Sequence, residues 1–138
     1  MHTLDQTAAT APRGLASIAD LLGSILARHG NAVATRHDTG ESYVDTTYAQ
    51  ALENASALAR WFLARPNSQQ LVVTLCKNRP EWDMTALAVF HSADILCPLD
   101  VTMNQNELYG LLALRPPDIM LVSRAQLARA RQTEPHRR

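Results

Sequence analysis

Three short apolar runs, Leu71–Cys76, Ile95–Leu99 and Ile119–Val122, constrain this chain more than any other feature, because helical patterns separate them. The first, LVVTLC, is apolar almost throughout and does not alternate, the pattern of a strand buried on both faces. After it, Pro80 is tolerated in a first helical turn, and Asn78 and Glu81 have capping-box spacing. Trp82, Ala86, Val89 and Phe90 then form a stripe at helical spacing. Past the second run, Thr102 or Asn104 opens another helix with Leu108, Leu111 and Leu112 inward, and Pro116-Pro117 break it. Ser123 is placed to cap a last helix over RAQLARAR. Strand–helix–strand–helix–strand in about fifty residues implies right-handed crossovers and a parallel sheet covered by helices. Trp82 and Phe90 are expected to be buried against it.

Upstream, Ser17 reads as an N-cap, and Ile18, Leu21, Leu22, Ile25 and Leu26 fit the template of an amphipathic helix that Gly30 ends. The turn signal Asp38-Thr39-Gly40 predicts a hairpin pairing Ala32–Arg36 with Ser42–Asp45. Thr47 and Gln50 have capping-box spacing, and the helix they open carries Leu52, Ala55, Ala59, Phe62 and Leu63 on one face before Pro66. The plan is a frayed N-terminus over 1–15, one α/β unit over 16–128 and a polar tail over 129–138.

Composition limits the function classes. A chain of 138 residues is one domain by size and can bury a real core without staples. Its formal net charge is zero, so no basic field suggests nucleic acid or an acidic membrane surface. No apolar run reaches the roughly twenty residues of a membrane span, and no leader-like apolar segment opens the chain. The expectation is a cytoplasmic protein. Cys76 and Cys97 cannot form a disulfide framework and read as small buried hydrophobes.

Candidate chemistry is sparse. Gly14, Gly23, Gly30, Gly40 and Gly110 are isolated, whereas a phosphate cradle needs clustered glycines so that backbone donors can approach the anion. Lys77, the single lysine, sits where a strand hands over to a helix, with no glycine or second lysine beside it; it reads as a solvated turn residue. Glu81 and Asp83, two apart, do not share a helix face and are better explained as carboxylates at a helix N-terminus. His91, Ser92 and Asp94 supply the residue types of a triad without a nucleophile elbow, and read as structural. His2, His29, His37, His91 and His136 show no metal-ligand spacing. Catalytic, cofactor-binding and metal-binding residues are therefore all expected to be absent.

The ordered set Thr47-Tyr48, Asn78-Arg79-Pro80-Glu81-Trp82 and Pro98-Leu99-Asp100, with the strands and helices between, resembles the N-terminal region of the adenylate-forming (AMP-binding) superfamily. That superfamily includes fatty-acyl- and aryl-CoA ligases and the adenylation domains of peptide synthetases. The resemblance covers roughly residues 17–127. It departs at Ser92-Ala93-Asp94, where the family commonly has an Ala-Gly pair, and at NSQQ, which replaces a Gly-Asp turn. The resemblance implies a helix-covered parallel-sheet subdomain of an acyl-CoA synthetase. Such an enzyme joins a carboxylate, fatty or otherwise hydrophobic, to AMP and then passes it to coenzyme A. ATP, Mg and CoA are implied for the full-length family, none bound by this segment, because the phosphate loop, the nucleotide motifs and the catalytic lysine lie beyond the resembling region. Two readings follow: an N-terminal fragment inactive on its own, or, as the alternative, a non-catalytic α/β interaction module or one half of a split adenylate-forming ligase. The implied partners are the missing remainder of the ligase or a second copy, since such a sheet is expected to leave edges and apolar surface uncovered.

Overall fold

The computed structural model describes residues 17–67 and 69–133. The stretch expected to fray, 1–15, and with it His2 and Gly14, lies outside the described residues, as does His136. In chain order the elements are α1 (Ile18–His29), β1 (Val33–Asp38), β2 (Tyr43–Thr47), α2 (Tyr48–Leu63), β3 (Leu71–Leu75), α3 (Pro80–His91), β4 (Ile95–Leu99), α4 (Gln105–Leu114), β5 (Ile119–Val122) and α5 (Leu127–Arg131).

The three apolar runs form the expected parallel sheet, in the order β4-β3-β5. Leu71 pairs with Ile95 and Val72 with both Leu96 and Ile119, so β3 is central. All five of its residues are buried, as its unbroken apolar pattern predicts. Val72 packs with Ala59 and Phe62 of α2, Ala88 and Val89 of α3, and Ile119. Leu71, Val73 and Leu75 pack on the other side with Leu108 and Leu112 of α4. The unit thus has three layers: α2 and α3, the sheet, and α4.

The ends of β3 are built differently. At its start, the Gln70 N–H donates to Asp94 Oδ1 at 2.8 Å and the Leu71 N–H to Asp118 Oδ2 at 2.7 Å. Asp94 immediately precedes β4 and Asp118 immediately precedes β5, so each flanking strand is tied to the central one before its ladder begins. Ile95 N–H and Asp118 N–H return bonds to the carbonyls of Gln70 and Leu71.

Local chemistry explains most boundaries. Ser17 caps α1 by accepting from Asp20 N, and Thr47 with Gln50 forms the full capping box that opens α2. Of the stripe expected on α1, Leu21 and Ile25 are half-buried, while Ile18, Leu22 and Leu26 lie outside the described side chains. The hairpin is antiparallel; each strand starts one residue later and ends two residues later than expected, at Asp38 and Thr47, and Gly40 at φ 87 with the Asp38 Oδ1–Gly40 N bond makes the turn tight. Between Thr102 and Asn104 the structure selects Asn104, whose side chain accepts from Asn106 N and Glu107 N while Glu107 reaches back to Asn104 N.

Several expectations are corrected. Asn78 and Glu81 form no capping box: Arg79 is the N-cap residue of α3 and makes no side-chain cap bond, and its guanidinium holds the Glu81 carboxylate at 2.7 Å. Phe90 is 38% exposed, whereas Trp82 is half-buried. Ala88 and Val89 fill the inward sector of α3, and Phe90, one residue further round, falls on the flank of the helix. By the same geometry Leu63 beside Phe62, at 63% exposure, and Leu111 beside Leu112, at 45%, face outward. The first strand ends at Leu75, leaving Cys76 half-buried in the following turn, and Cys97 is half-buried because β4 is an edge. Ser123 precedes a 3-10 turn, Arg124–Gln126, without a side-chain cap bond, and only Leu127–Arg131 is α-helical. Arg129 of that helix donates to the carbonyls of Val101, at 2.8 Å, and Met103, and to Gln105 Oε1. These bonds strap α5 to the connection between β4 and α4.

Candidate functional site

In open α/β sheets ligands settle beyond the carboxyl ends of the strands, where neighbouring connections leave in opposite directions. Here the chain leaves β3 toward α3 on one face, while beyond β5 it runs to α5, strapped to Val101 on the α4 side. A crevice of about 270 Å³ opens between those ends, walled by Thr74, Thr85, Leu121 and Ser123, with Arg79 and Glu81 at one side.

Its chemistry is modest. Thr74 is 2% exposed and its hydroxyl has no partner among the described residues. The Thr85 hydroxyl donates to the Glu81 carbonyl at 2.8 Å. Arg79 holds the Glu81 carboxyl below the usual carboxylate range, more strongly than burial raises it. Burial pushes the Cys76 thiol up, the wrong direction for a nucleophile at neutral pH. Arg79 is engaged with Glu81, and a second carboxylate, Asp83, stands in the same first turn. A phosphate approaching the start of α3 would meet those carboxylates.

The other candidates are not brought together. Lys77 is exposed in the β3–α3 turn. The Ser92 hydroxyl donates to Asp94 Oδ2 at 2.7 Å and to the Val89 carbonyl at 3.2 Å. Asp94 in turn accepts from Gln70 N, while the exposed His91 makes no hydrogen bond to Ser92. This cluster sits at the amino end of the sheet, opposite the crevice, and ties a helix end to β3. His29 stacks at a tilt against Tyr48 with ring centroids 5.8 Å apart. Among the described residues no three His, Cys, Asp or Glu side chains converge to hold a metal ion. Gly23 lies in α1, Gly40 in the β1–β2 turn and Gly110 in α4, so these three do not cluster into a phosphate cradle. With Glu81 and Asp83 in its first turn, the start of α3 does not fit the phosphates of a nucleoside triphosphate. No helix among them is long and apolar enough to cross a membrane.

Sequence reasoning missed the Asp94 and Asp118 ties to β3. Their signal was an Asp directly before each flanking strand, visible only once the strands are known to be neighbours.

Comparison with known proteins places this geometry. The family model for the AMP-binding enzyme matches residues 24–138. No curated protein matches the sequence. Among solved structures, the A domain of carboxylic acid reductase from Segniliparus rugosus superposes with a TM-score of 0.78 at 15% identity, covering 88% of this chain and 22% of that one. A protein designated a long-chain-fatty-acid CoA ligase from Rhodopseudomonas palustris CGA009 gives 0.76 at 21% identity, over 85% of this chain and 29% of that one. The luciferase-like enzyme from the mealworm Zophobas morio gives 0.74 at 18% identity, over 85% and 28% respectively. These identities establish a shared fold only, and the chain spans less than a third of each of those proteins. With the family model covering residues 24–138, the chain belongs to the AMP-binding enzyme family.

Proposed function

We propose that this chain is the N-terminal scaffold of an adenylate-forming enzyme of the acyl-CoA ligase type and does not activate carboxylates by itself. The family match over residues 24–138 carries the reading. The ligase similar in fold over 85% of the chain supports the finer assignment. In this reading the parent activates a carboxylate, fatty or otherwise hydrophobic, with ATP and Mg and hands it to CoA in the cytoplasm. The segment contributes the β4-β3-β5 sheet and no catalytic, cofactor-binding or metal-binding residue. Adenylate formation needs donors and a cation clamp arranged around the charge that builds on the phosphates, each donor worth about 3 kcal/mol. Scattered glycines and an Arg79 already paired with Glu81 supply neither.

The partner in this reading is the remainder of the ligase or, failing that, a second copy of the chain. The outer edges of β4 and β5 pair with no strand among the described residues, and Leu114 is 83% exposed at the end of α4. Such edges associate.

ATP–pyrophosphate exchange with the purified chain, its folding verified by circular dichroism, tests the proposal across fatty and aromatic acids. Exchange is expected at the no-enzyme level. Exchange well above it, and abolished by Lys77→Ala, would overturn the proposal. Light scattering is expected to find association at tens of micromolar, roughly where uncovered edges aggregate; a clean monomer there would count against the assigned partners.

A further inference from the structure

We draw no further inference here: the strongest candidate, the crevice between the carboxyl ends of β3 and β5, carries nothing because its unpartnered Thr74 hydroxyl has no surface open to the void and nothing in the structure shows what covers its open side.

Discussion

The two ends of β3 differ in how their polar groups are treated. At the amino end every polar atom named above has a partner: Asp94 and Asp118 accept from successive backbone N–H groups, and Ser92 fills the second oxygen of Asp94. At the carboxyl end Thr74 keeps a buried hydroxyl without one, and the loops to α3 and α5 part around a crevice. The closed end fixes which strands are neighbours and in what register. The open end is where α/β proteins hold ligands, yet Arg79 there is paired with Glu81. The amino end is thus closed by hydrogen bonds between neighbouring strands, and the carboxyl end is left open.

That contrast breaks most directly at the amino end. Asp94→Ala removes acceptors from both Gln70 N and the Ser92 hydroxyl, and should cost about 2–3 kcal/mol, read as a lower urea midpoint. Asp118→Ala removes one charge-assisted bond and should cost about 1.5 kcal/mol. Asn at either position keeps an acceptor and should recover part of the loss. If both alanine variants unfold at the parent midpoint, the two ends are energetically alike and the contrast fails.

At the carboxyl end the opposite sign is expected. Thr74→Val replaces an unsatisfied hydroxyl by a methyl of the same shape, so stability should hold or rise by up to about 1 kcal/mol. A loss of that size in thermal unfolding would mean that the hydroxyl is satisfied after all.

A smaller gain should come from the turn that feeds β4. Ala93 lies at φ 58, the left-handed region, after the end of α3, where Asp94 N–H bonds to the Val89 carbonyl and Ala93 N–H to that of Phe90. Glycine is the residue that such a helix end favours. Ala93→Gly should raise stability by about 0.5–1 kcal/mol, and differential scanning calorimetry showing a lower melting temperature would contradict it.

The smallest effect is electrostatic. Arg36 holds the Asp45 carboxyl below its ordinary value, Arg79 does the same for Glu81, and the Thr102 N–H for Asp100. Because these carboxyls are more acidic in the folded chain, the unfolded chain binds more protons at mildly acid pH, and stability falls as pH drops. The contribution should be complete at neutral pH. It should begin to fade below about pH 5 and be lost as pH passes through the depressed folded values. Exposure of both ion pairs keeps it small. Urea midpoints measured from pH 7 to pH 3 should fall less steeply in an Asp45→Asn, Glu81→Gln double variant.

The sequence by itself determined the order of elements, the central place of LVVTLC and the Thr47–Gln50 box, because each rests on contacts within a few residues or on a pattern that only double-sided burial satisfies. It also singled out His91, Ser92 and Asp94, of which the fold joins Ser92 to Asp94 by a hydrogen bond. Tertiary structure decided what depends on several elements meeting. The sheet covers only one sector of each helix: Ala88 and Val89, Phe62 and Leu112 fall within it, whereas Phe90, Leu63 and Leu111 fall outside. The Asn78–Glu81 spacing suited a capping box, but Arg79, closer in the chain and oppositely charged, captured the carboxylate. Asp94 and Asp118 became strand ties only because the chain crossed twice and brought β4 and β5 to either side of β3. A carboxylate's partner can be a backbone donor 24 or 47 residues away, and no local pattern reports that distance.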